Sequence, residues 1–150
     1  MASAQPKLLF PGLAGFYAAV GPAAYTFVRA VVGIIMVVHG WGKVTGPGPS
    51  GVATMFGRLA LPMADLLAYI AIFLEVVGGA CLVIGLLTRF FAAGLAIEML
   101  IALLTVHWAK GFMVNQGGYE FVLLIGAVLF AIAIRGGGPW SVDAKIGKEL

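Results

Sequence analysis

Seven ionisable side chains interrupt long apolar stretches of this chain: Arg29, His39, Lys43, Glu75, Glu98, His107 and Glu120. If those stretches cross a membrane, a charged group at their centre costs about 2.5–3.5 kcal/mol on insertion scales. Such residues are kept for a partner, a cavity or a chemical task. Glu75 and Glu98 fall near the middle of their stretches, and His39, Lys43, His107 and Glu120 fall near ends that share one side. Carboxyl and imidazole groups held in low dielectric can relay protons near neutral pH. Glu75, Glu98, His39 and His107 are therefore the candidates for proton chemistry. Arg29, Lys43, Asn115 and Glu120 are the candidates for holding a ligand.

Each residue also has a structural reading. His39 and His107 either reach for water or a backbone carbonyl, act on a proton or ligand, or ligate a metal or haem. Glu75 is either a proton acceptor or an acid hydrogen-bonded across helices. Glu120 opens an apolar run, where a helix dipole favours a carboxylate in any case. Arg29, at a membrane edge, can snorkel to headgroups. Asp65, close after Pro62, reads as a helix cap. In the pocket reading Glu120 hydrogen-bonds one histidine, Lys43 offsets its charge, and Asn115 is a donor in a loop above. Glu75 and Glu98 are expected to face protein, with at least one of them protonated near neutral pH.

The elements that must position these groups are helices in a bilayer. The chain has 150 residues, of which 62% are hydrophobic, 22 are glycine and only 10% are charged. A soluble domain carries about 25% charged residues. A formal net charge of +3, scattered along the chain, makes no nucleic-acid-binding face. A single cysteine excludes a disulfide framework, a four-thiolate zinc site and a CxxC redox pair. Four runs approach the length of about 20 residues that a membrane helix needs, at about 23–44, 64–87, 90–108 and 119–134. Period-two alternation is absent, so the fold class is all-α, an integral membrane four-helix bundle in one domain over 1–150.

The connections read as follows. Thr45–Gly51 is expected to be non-helical because of Pro47 and Pro49. Val52–Leu61 is a short amphipathic helix between spans one and two, with Arg58 on its wet side. Thr88 and Arg89 form a tight turn. Residues 8–24 carry Pro11, Gly12 and Pro22, and read as an N-terminal interfacial segment rather than a signal peptide or further span. Lys7, Arg29, Arg89, Arg135, Lys145 and Lys148 lie on the side of the termini, against Lys43, Arg58 and Lys110 opposite. That bias places both termini in the cytoplasm.

Helical spacing puts Arg29, Gly33, Met36, Gly40 and Lys43 on one stripe of the first span. Ala68, Ala71, Glu75, Gly79 and Leu82 form one on the second, and Glu120, Leu124, Ala127 and Ala131 one on the fourth. Small residues on such stripes let membrane helices approach closely. Glu98 and His107, nine residues apart, fall on opposite faces of a straight helix.

These residues resemble the DoxX family in order and spacing. The resemblance rests on Arg29 with His39-Gly40-Trp41-Gly42-Lys43, on Glu75-Val76-Val77-Gly78-Gly79, and on Gly85-Leu86-Leu87-Thr88-Arg89. It continues through Ile97-Glu98-Met99, His107, Asn115, Gly118-Tyr119-Glu120 and Gly138-Pro139-Trp140-Ser141-Val142-Asp143, covering about 25–143. The resemblance implies a small four-helix protein of the bacterial inner membrane. The family is named for a membrane subunit of a thiosulfate:quinone oxidoreductase, and other members are linked with quinone handling and membrane oxidoreductase complexes. It therefore implies a quinone-linked oxidoreductase subunit with a polar pocket in the outer half of the bundle. Its partners would be the lipid bilayer and other membrane or periplasmic redox subunits, with an oligomer also allowed. The chain has no haem-attachment or iron–sulfur motif and no dinucleotide loop, and no metal ligand set is assigned. Electrons must then come from elsewhere, and whether the chain is itself an enzyme stays open. The alternatives are a non-catalytic accessory or assembly subunit, and a small-solute binding or transport protein.

Overall fold

The structure, a computed structural model, describes residues 7–149. After a single 3₁₀ turn at Pro11–Leu13, helix α1 spans Ala14–Thr45 and α2 spans Gly48–Arg58. Helix α3 covers Ala64–Ile84 and α4 covers Thr88–Lys110. Helix α5 spans Glu120–Arg135 and the short α6 spans Val142–Ile146. No strand occurs among the described residues. An apolar chain in lipid must satisfy its backbone internally, and helices do so within one segment.

The elements depart from the sequence expectation at four joints. The N-terminal segment is not separate from the first span: α1 begins at Ala14 and passes through Pro22. Proline removes one hydrogen bond there, a loss that membrane helices tolerate. Thr45–Gly51 is largely helical, since α1 runs through Thr45 and Pro49 sits in the first turn of α2. A proline there forfeits no bond, because the first N–H groups of a helix have no partner within it. The turn between α3 and α4 lies at Gly85-Leu86-Leu87, one step before Thr88. Gly85 takes φ 75°, and the amides of Gly85 and Leu86 both donate to the Cys81 carbonyl, which ends α3 short of Leu87. Asp65 does not cap α3; Met63 occupies that position and no side chain caps it.

Helices α1 and α3 meet along the two stripes read from the sequence. Gly33, Met36 and Gly40 are buried on one, and Ala68, Ala71, Glu75, Gly79 and Leu82 on the other. A Cβ added at Gly33 would stand 2.6 Å from the Gly79 carbonyl oxygen, and one at Gly40 2.7 Å from Glu75 Cβ. Only glycine permits that approach. The stripe expected on α5 is wrong: Leu124, Ala127 and Ala131 are exposed, and Ile125, Leu129 and Ile132 face the core. They pack with Val32, Met36, Leu82, Phe91 and Leu95. Alanine is as much at home against lipid as against a helix, so small size alone does not mark a buried face.

At the end that holds the C-terminal segment, ionic side chains close three helix termini. The Arg29 guanidinium, 1% exposed, donates to the carbonyls of Leu82 (2.9 Å), Gly137 and Trp140 (3.1 Å). The Asp143 carboxylate accepts from the Leu87 and Thr88 amides at 2.8 and 2.9 Å, at the start of α4. Arg89 donates to the carbonyls of Ala133 and Ile134 at the end of α5 and pairs with Glu149. Each charge opposes the dipole of the terminus it meets.

Among the described residues, three helices, Pro11–Thr45, Ala64–Ile84 and Thr88–Lys110, are long and apolar enough to cross a membrane. Helix α5 has 16 residues, about 24 Å at the usual helical rise.

Candidate ligand-binding site

The opposite end of the bundle is built differently. Lys43 lies in the last turn of α1, Glu75 in α3 and Glu98 midway along α4. The Lys43 ammonium forms a hydrogen-bonded ion pair with Glu75 Oε2 and stands 3.6 Å from Glu98 Oε1. The Glu75 side chain is 2% exposed, Glu98 16% and Lys43 25%. Both acids thus face protein, as mid-span carboxylates must. Glu98 Oε2 is buried and has no hydrogen-bond partner.

Two distortions of the helices set this geometry. Helix α3 widens into a π-helical turn at Leu74–Gly78, which carries Glu75. Helix α4 does the same at Leu103–His107. A wide turn advances fewer degrees per residue and adds register inside an otherwise regular helix. That removes the difficulty with Glu98 and His107, which share a cavity instead of facing opposite ways.

The cavity measures about 550 Å³. Lys43, Glu75, Glu98, His39 and His107 supply its ionisable lining. Met36 of α1, Leu74 of α3 and Phe121 of α5 are among its apolar walls, and Met55, Phe56 and Leu59 of α2 line it too. His39 stacks on Phe121 with ring centroids 6.2 Å apart. His107 Nδ1 lies 2.6 Å from the Gly117 carbonyl oxygen, a hydrogen bond that fixes the ring against the loop before α5. Helix α2 packs through its own small cluster of Val52, Ala53 and Ala68, with Phe56 and Ile72 beside it, apart from the main core.

Five of the eight sequence candidates thus converge on one cavity, and three do not. Arg29, midway along α1, is at the other end of the bundle, fixed to backbone carbonyls rather than snorkelling. Asn115 is exposed on the 3₁₀ turn Val114–Gln116 and is not part of the lining. Glu120 accepts from the Val114 amide at 3.1 Å, bracing the loop instead of a histidine. Lys43 correspondingly balances Glu75 and Glu98, not Glu120. Sequence reasoning missed Phe121 and the contribution of α2. The signal for α2 was present, since Met55, Phe56 and Leu59 share one face of the amphipathic helix. Among the described residues, no group of three or more His, Cys, Asp or Glu side chains is arranged to hold a metal.

Residues 24–108 match the family model for DoxX. That stretch contains every ionisable residue of the cavity. The chain is 31% identical over 105 residues to the Bacillus subtilis protein named "Putative oxidoreductase CatD", covering 70% of this chain and 75% of that one. It is 28% identical over 141 residues to an uncharacterised membrane protein of Mycobacterium tuberculosis, covering 86% and 85%. It is 29% identical over 124 residues to the inner membrane protein YqjF of Escherichia coli, covering 81% and 90%. No solved structure matches the chain.

Proposed function

This chain belongs to the DoxX family and is a membrane protein, and from that premise we propose that it is a quinone-linked subunit of a membrane oxidoreductase. One observation carries the reading: an apolar cavity of about 550 Å³ whose ionisable lining comprises one ammonium, two carboxylates and two imidazoles. Ligand pockets are of this size and character, apolar with a few convergent polar groups. The oxidoreductase name of the Bacillus subtilis relative supports the same reading.

A quinone, when bound, supplies two-electron, two-proton chemistry. The chain's own residues bind the ring, exclude water and handle the protons. Phe121, Phe56 and Met36 offer apolar surface to a ring. Glu98 Oε2, buried and unpartnered, fits a polar head group. Two carboxylates stand against one ammonium in the cluster, and Glu75 already takes one of the ammonium's hydrogens. His39 and His107 add two imidazoles to the same lining, His107 held against the loop before α5. Electrons enter from a partner redox subunit. The four long helices cross the bacterial inner membrane with both termini cytoplasmic, α5 being the shortest crossing.

The test is to isolate the protein from its native membrane and assay quinone-dependent turnover of whatever complex it brings. Quinone and a redox subunit should co-purify. His107→Ala and Glu75→Gln should abolish turnover while the complex still assembles. Wild-type rates in both assembled variants would refute the reading and leave an accessory subunit.

A further inference from the structure

We infer that the polar end of the cavity recognises a hydroxyl group, so that the reduced, phenolic form of a ring ligand binds in preference to its carbonyl form; this rests on the proposed lipophilic-ligand reading. The inference comes from counting unused hydrogen-bond positions. Glu75 Oε2 is taken by Lys43, and the Glu75 side chain is 2% exposed. His107 Nδ1 is committed to Gly117. The Thr105 hydroxyl donates to the Ile101 carbonyl in its own helix. Of the positions still open, two lie side by side. Glu98 Oε2 is buried with no partner, and the Lys43 ammonium, a donor of three hydrogens, has one engaged with Glu75. The 3.6 Å between Lys43 Nζ and Glu98 Oε1 is beyond hydrogen-bond length, so those groups do not satisfy each other.

A vacant acceptor next to a vacant donor is matched by a group that does both. A hydroxyl donates to Glu98 and accepts from Lys43. A ring carbonyl or an ether only accepts. It suits Lys43, but once it has displaced water it leaves an ionised Glu98 oxygen buried and unpaired. Leaving a buried acceptor unpaired is heavily penalised, whereas adding apolar contact discriminates weakly. The expected preference is about tenfold or more.

The test uses the purified full chain in lipid nanodiscs with three probes of equal chain length: a 4-alkylphenol, its methyl ether and the alkylbenzene. Calorimetric titration should give a phenol affinity about tenfold or more above that of the ether, and Glu98→Leu should bring the ratio near one. Equal binding of phenol and ether by the wild type overturns the hydroxyl inference while leaving a lipophilic cavity standing. Binding of none of the three overturns both. An unchanged ratio in Glu98→Leu removes Glu98 from the role. If that variant does not fold, infrared spectra of wild type with 13C-labelled glutamate decide: the phenol should shift a glutamate carboxyl band and the ether should not, and the absence of a phenol shift overturns the inference.

Discussion

Replacing Lys43 by methionine keeps the length and apolar stem of the side chain and removes only its ammonium. Glu75, 2% exposed, then loses its partner inside a membrane helix. Stripping one member from a buried ion pair is destabilising by about 3–5 kcal/mol, because a desolvated charge is left behind. Lys43 is 25% exposed, which places this pair toward the lower end, at about 3 kcal/mol. Glu75→Gln removes the other charge and leaves an ammonium that can still turn to Glu98, so it should cost less. The double variant Lys43→Met/Glu75→Gln removes the orphaned Glu75 charge and should be more stable than Lys43→Met alone. Reversible unfolding in mixed micelles, followed by circular dichroism, measures all three against wild type. A neutral interhelical hydrogen bond in a membrane protein averages about 0.6 kcal/mol. A cost near that value for Lys43→Met, with no recovery in the double variant, would refute the idea that the cluster is a desolvated ion pair.

Three further outcomes follow from the packing and the termini. Asp143→Ala should cost about 1–3 kcal/mol by uncapping the amides of Leu87 and Thr88, while phenol binding by the folded protein is unchanged; a loss of affinity without a loss of stability would contradict its placement at the far end. Gly79→Ala should cost about 1–3 kcal/mol, because the added carbon would stand 2.8 Å from the Gly33 carbonyl oxygen, whereas Gly42→Ala, with nothing within 4 Å, should be tolerated; equal unfolding midpoints would show that α1 and α3 are not so close. In a Cys81→Ser background, Ser50→Cys should react with an impermeant thiol reagent from outside the cell and Lys145→Cys only after lysis, and the reverse pattern would invert the topology.

How much of this was legible in the residues depends on what each pattern responds to. The α1–α3 contact could be read because glycine at Gly33, Gly40 and Gly79 is demanded by backbone proximity, a constraint that helical spacing exposes. The buried face of α5 could not, because the core-facing Ile125, Leu129 and Ile132 are no more apolar than Leu123, Leu124 and Phe130, which lie exposed. In a membrane protein hydrophobicity does not separate inside from outside, so α4 and α5 are ordered by shape, which a single sequence records poorly. The π turns left no trace in composition, yet one of them decides that His107 joins Glu98 in the same cavity.

The placement of charge gives the bundle two unlike ends. Arg29, Asp143 and Arg89 spend their hydrogen bonds on backbone at helix termini, and a group committed in that way has nothing left for a ligand. Lys43, Glu98 and His39 sit where side chains meet side chains, and they keep unused positions beside a void. In the sequence, Arg29 and Lys43 fall on one stripe of the first span and among the same ligand-holding candidates. Along α1, however, 14 residues at about 1.5 Å each put roughly 21 Å between them. One face of α1 can therefore serve a structural latch at its middle and a chemical cluster in its last turn. The same separation explains why α2 can be held by its own small cluster: the latch already fixes α1, α3, α4 and α5 relative to one another, so the helix beside the cavity need not carry the fold.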